Sequence, residues 1–285
     1  HTLARAGFAV VVPEMVGFTA LQLHPRNARE IADAFAWLVN QPELAPEGRA
    51  GMAGVSYALG PALLAALEPD IREQVRFILG IGGYHDLTAT LRFVTTGWFE
   101  EAGRWRALEP NPYGQLVLVN SALPYLARPR DRELLAAMVE RRLKDRAAPI
   151  DDLAAGLGPE GRAVFAFVNN RDRARFDALF EALPAALKRD LQGLDVARQD
   201  LSQLRARLIL VHDREDTLIA YTESLALAAA VGPEQAQLFL IRHVLGHVHL
   251  SLGHVLSWRF WHEELPDVWR LSRATYLLLA ERADE

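Results

Sequence analysis

The 285-residue chain has no cysteine. Disulfide staples, thiolate metal centres and cysteine nucleophiles are therefore excluded, and a reducing, cytoplasmic compartment is the location this absence fits. No apolar run approaches the roughly 18 residues a membrane-spanning helix needs, and the first residues show neither a basic leader nor an initiator methionine. An excess of positive charge is also missing: 31 Lys and Arg stand against 36 Asp and Glu, a net charge of -5, so there is no electrostatic footprint for nucleic acid or an anionic membrane. Repeats and low-complexity tracts are absent.

What is present is a globular composition, 51% hydrophobic and 24% charged, in a chain long enough for one large domain or a domain with an insertion. His1–Gly7 reads as a helix end closed by glycine, and Phe8–Pro13 (F-A-V-V-V-P) as a buried parallel strand. Ile31, Phe35 and Leu38 fall at helical spacing within Asn27–Val39. A strand over Ala50–Val55 then meets a helix over Tyr57–Leu67, and Val75–Ile81 is a further strand-length apolar run stopped by Gly82 and Gly83. Alternation of this kind predicts an α/β fold, a mostly parallel sheet with helices on both faces, whose ligands bind beyond the carboxyl ends of the strands.

From Thr88 to Asp200 the alternation stops. Helical stretches over Asp131–Arg146, Gly161–Val168 and Arg173–Leu191, separated by proline or glycine, predict a helical insertion within a core of residues 1–87 and 201–285. The sheet resumes with Arg207–His212 and Ala236–Arg242, with a helix over Thr222–Val231 between them and a last helix over Leu265–Glu281.

The strand–helix joint at residues 49–60, R-A-G-M-A-G-V-S-Y-A-L-G, is the stretch with the clearest chemistry. Gly54 and Ala58 flank Ser56 closely enough for a tight turn that exposes the serine, and the backbone N–H of Tyr57 is placed to donate to a developing oxyanion. A serine hydroxyl is a weak nucleophile and needs an imidazole to take its proton and a carboxylate to orient that imidazole. Both types follow later strands: D-R-E-D-T-L-I after Arg207–His212, and H-V-L-G-H-V-H after Ala236–Arg242.

On Leu3–Pro13, G-V-S-Y-A at Gly54–Ala58, L-V-H-D-R-E-D at Leu210–Asp216 and G-H-V at Gly246–Val248, the sequence resembles the α/β-hydrolase family. The resemblance implies Ser56 as nucleophile, Asp216 as acid, His247 as base and a helical cap over Thr88–Asp200 walling the substrate pocket. It implies a carboxylic ester, a small molecule, as substrate, and no cofactor. Two positions depart from the family pattern: Ala58 replaces the last glycine of G-x-S-x-G, and Asp213 the glycine of H-G-x-x-D, setting a second carboxylate three residues from the acid. The alternative function is a non-catalytic α/β-hydrolase domain that binds a ligand or partner.

Asp86, in G-G-Y-H-D after the strand Val75–Ile81, is the alternative acid, and His249 the alternative base; His85 is read as a loop histidine, and His243 and His254 as structural. The H-x-x-x-H and H-x-H spacings lack an H-E-x-x-H companion, so no metal is expected. Met15, Met52 and Met138, and most of Trp37, Trp98, Trp105, Trp258, Trp261 and Trp269, are expected to pack. Because Leu3–Pro13 matches a segment that follows three strands in the family, a reduced sheet is expected, or one completed by a partner chain or a second copy.

Overall fold

The computed structural model describes residues 2–242 and 265–283. The chain divides into two compact units, one of residues 1–13, 28–85 and 199–285 and the other of residues 14–27 and 86–198. The first unit carries strands β1 (Ala50–Val55) and β2 (Val75–Ile81), the second carries β3 (Trp98–Glu101) and β4 (Arg104–Ala107), and the first resumes with β5 (Arg207–Asp213) and β6 (Ala236–Ile241).

The first unit has the α/β architecture. Its four strands are parallel in the order β1-β2-β5-β6. Alternate residues point to opposite faces, and each face is covered by a helix. Phe77, Ile209, Val211, Phe239 and Ile241 form a buried cluster with Ala274 and Leu278 of the helix Leu265–Ala283. On the other face Leu59, at the start of the helix Leu59–Ala66, is fully buried against the strands, and a Cβ added at Gly80 would fall 2.7 Å from its Cδ2.

At β1 the sheet ends, and here one expectation is corrected. Gly7, at φ +91°, does close the helix Thr2–Arg5, but Phe8–Pro13 runs on outside the sheet and outside any helix, with Val12 84% exposed. A β-branched run becomes a strand only where its N–H and C=O groups find a ladder. Among the described residues no backbone hydrogen bond joins Ala9–Pro13 to β1. A groove of about 300 Å³ separates the two, lined by Phe8 and Val10 on one side, Ala50 and Met52 on the other, and Leu38 and Leu278. Among the described residues this sheet has four strands.

The second unit is helical apart from the antiparallel hairpin β3–β4, whose two-residue turn puts Ala102 (φ 49°) and Gly103 (φ 75°) in left-handed conformations. The helical stretch expected over Arg173–Leu191 is three pieces, a 3₁₀ turn Arg173–Arg175 and helices Phe176–Glu181 and Ala185–Gly193. Pro184 disfavours helical backbone at Leu183 and lacks the N–H a continuous helix would use. Fully buried Asp131 accepts from Gly158 N (2.8 Å) and Gly161 N (3.3 Å), tying the helix Pro129–Lys144 to Pro159–Val168. The division differs from the one expected at Thr88 and Asp200 by residues 14–27. Leu23 N donates to Ser121 Oγ at 2.8 Å and His24 Nε2 lies 3.5 Å from Asp190 Oδ2, contacts between positions too far apart in sequence to show a pattern.

Candidate active site

Gly54 makes the strand–helix joint possible. A Cβ at this position would lie 2.7 Å from Leu59 Cα and 3.0 Å from Leu59 N, so only glycine lets the helix start so close to β1. Between them the chain makes a 3₁₀ turn, Ser56–Ala58. Ala58 has right-handed backbone (φ -70°, ψ -17°), so no glycine is needed there and the departure from the family pattern carries no backbone penalty. The left-handed residue is Ser56 itself, at φ +56°. For a non-glycine residue that conformation costs about 1–2 kcal/mol.

Strand register fixes what stands level with this serine. Val55 pairs with Ile81 and Ile81 with Val211, so the next row contains Ser56, Gly82 and His212 at the carboxyl ends of β1, β2 and β5. Adjacent strands are about 4.8 Å apart, which puts the ends of β1 and β5 roughly 10 Å from each other.

The turn after β5 holds Asp216 firmly. Its Oδ1 accepts from Leu218 N (2.7 Å) and Ile219 N (3.2 Å), and its Oδ2 lies 3.4 Å from Nε2 of His212. Gly82, left-handed at φ +61°, makes room: a Cβ there would lie 3.1 Å from Oδ2. Asp213 is turned to a different use, with its Oδ1 accepting from Glu215 N at 2.9 Å. Asp86 is also committed elsewhere: its Oδ1 caps the helix Leu87–Thr96 by accepting from Ala89 N at 2.8 Å. In the same unit burial pushes the Asp195 carboxyl above its usual range, and the charge of Asp86 adds to the rise.

His247, His249, His243 and His254 lie outside the described residues, as do Trp258 and Trp261. His85 N donates to Glu223 Oε2 at 3.1 Å. Tyr57 sits in the 3₁₀ turn Ser56–Ala58 that leads into the helix Leu59–Ala66. Met52 and Met138 are buried, whereas Trp37 and Trp269 are mostly exposed, contrary to the packing expected of them. Trp98 and Trp105 stack with a cation, Arg173, whose Cζ is 4.2 Å from the Trp105 ring centroid and 5.7 Å from that of Trp98. Among the described residues no cluster of three or more His, Cys, Asp or Glu could hold a metal ion, and no helix is long and apolar enough to cross a membrane.

Sequence reasoning passed over His212 and Ser224. They are 12 positions apart on different elements, yet fully buried His212 places Nδ1 2.7 Å from the hydroxyl of Ser224. The one available signal was a histidine ending an otherwise apolar strand.

No family model and no curated protein matches the chain. Among solved structures it is similar to the rice cell wall degrading esterase LipA from Xanthomonas oryzae, at 12% identity and TM-score 0.47 over 87% of this chain and 66% of that one. It is also similar to a meta-cleavage product hydrolase from Pseudomonas fluorescens (13% identity, TM-score 0.34, 87% of this chain, 72% of the other). A hydrolase described as putative from Legionella pneumophila matches at 15% identity and TM-score 0.43, over 78% of this chain and 59% of its own. The chain thus spans just under two thirds of the length of the esterase.

Proposed function

We propose that the chain is a serine hydrolase of the α/β-hydrolase superfamily that cleaves a carboxylic ester through an acyl-enzyme. The observation that carries this reading is the left-handed backbone of Ser56 at the joint of a parallel strand and a helix. Strain at a non-glycine residue persists where its surroundings hold it, and here it falls on a half-buried serine at the edge of the sheet where ligands bind.

In this reading Ser56 Oγ attacks the acyl carbon as its proton passes to His247. Asp216 orients the imidazole and stabilises the imidazolium, and the Tyr57 N–H donates to the oxyanion. The imidazolium then protonates the departing alcohol. Water, losing its proton to the same histidine, releases the acid and restores Ser56. Acyl transfer through serine uses no cofactor.

The test is turnover of p-nitrophenyl esters together with labelling by a fluorophosphonate. Both should occur in the wild type and both should be lost in Ser56→Ala, while chelator leaves turnover unchanged. A folded wild-type protein that neither reacts nor turns over substrate would leave the alternative, a domain that binds its ligand without chemistry.

A further inference from the structure

We infer that two copies of this chain complete each other's sheet: residues 9–13 of each copy enter the groove beside β1 of the other and pair there as a strand. This assembly is independent of the chemistry proposed for Ser56.

The backbone carries the case. β1 is paired on one side only, with β2. Across the groove from its open edge, residues 9–13 make no backbone hydrogen bond to any described residue. Two rows of N–H and C=O groups therefore flank one groove without a ladder, and such groups favour a partner strand. An alkyl or aromatic ligand offers no partners to either row, whereas a strand laid between them offers both its edges. The base of the segment is fixed: Phe8 N donates to Leu3 O at 3.1 Å, and Phe8 packs against the buried cluster of β2, β5 and β6. Beyond Phe8 the segment is held by no ladder, with Val10 49% and Val12 84% exposed, so it can move out to strand spacing without breaking a backbone bond.

Side chains select the occupant. The groove, about 300 Å³, is lined by Leu38, Leu44, Phe77, Leu79 and Leu278, and its charged members Glu47 and Arg76 pair with each other at 3.2 Å. A strand enclosed there has to be apolar along its whole length. A-V-V-V-P meets that demand, and among the described residues it is the apolar, β-branched run that lies outside both helix and sheet. A second copy brings the same segment and the same groove, so a single two-fold axis satisfies both. The order is β1, the second copy's residues 9–13, residues 9–13, the second copy's β1, one continuous sheet in which neither β1 keeps an open edge. Enclosing two segments, each about 17 Å long, brings the buried surface to the order of 1,200–2,000 Å² typical of specific pairs.

The experiment joins sedimentation velocity to amide hydrogen exchange read by mass spectrometry, both across a wide range of protein concentration. The wild type should pass from monomer to dimer as concentration rises. Over the same range, exchange in peptides covering residues 9–13 and β1 should slow together by about tenfold or more, because their N–H groups enter a ladder. Val12→Lys, at a position already in solvent, should stay folded, shift the equilibrium to monomer and lose the slowing in both segments. Trp269→Lys, on the exposed face of the last helix, should leave both readouts as in the wild type. A monomer at every concentration overturns the inference, and so does a dimer in which these two segments exchange as fast as in the monomer. Slow exchange in both segments that does not depend on concentration also overturns it, since a segment of the same chain then fills the groove.

Discussion

At Ser56 stability and the chemistry proposed for it pull in opposite directions. Glycine adopts φ near +56° without the Cβ clash that serine suffers, so Ser56→Gly should raise the melting temperature by a few degrees, a gain on the order of 1 kcal/mol, while abolishing turnover. Thermal unfolding beside an esterase assay checks both halves. Two residues away the sign reverses: a methyl at Gly54 meets Leu59 backbone at 2.7 Å, and Gly54→Ala should cost about 1–3 kcal/mol in denaturant unfolding. The two candidate acids separate in the same way. Asp216→Asn leaves an oxygen for Leu218 N and Ile219 N but presents an amide to the base, and kcat should fall on the order of 10⁴-fold. Asp86→Asn keeps a side-chain oxygen for the cap on Ala89 N, so turnover and melting temperature should stay near wild type. The strand–helix joint around Gly54 and Ser56 was legible in the sequence because small residues around a serine there leave a local pattern. Ser224 was not, because its meeting with His212 depends on the packing of a helix against a strand.

Elements bounded by glycine or proline were legible as a class. Ala50–Val55 and Val75–Ile81 form strands with the expected limits, since each apolar run is closed by a residue that changes the backbone or begins a turn. Arg173–Leu191 was legible as helical but not in its division, because its apolar period continues across Pro184, where the proline breaks the helix. Phe8–Pro13 shows a different limit: its composition is that of a strand, but a strand is a property of two segments. The result is an edge with exposed valine beside β1, whose Val55 is 59% exposed. Such edges promote pairing between chains. Sedimentation velocity should therefore show concentration-dependent self-association that Val12→Lys reduces, with little effect on stability because Val12 is already in solvent. Association unaffected by the lysine would place the contact elsewhere.

For the whole molecule, composition alone excluded thiol chemistry and gave no footprint for nucleic acid, and strand–helix alternation pointed to the α/β class of the first unit. The second unit was legible as helical but not in extent, because residues 14–27 join it through contacts such as Leu23 N to Ser121 Oγ. The central claim is that Ser56 is a nucleophile set at the carboxyl edge of a parallel sheet. Its most direct test is to react the folded chain with a fluorophosphonate, digest it and locate the adduct by mass spectrometry. The account predicts a single adduct on the peptide containing Ser56, formed at a rate that falls as the base is protonated. An adduct on another residue, or none on protein shown to be folded by circular dichroism, would contradict it.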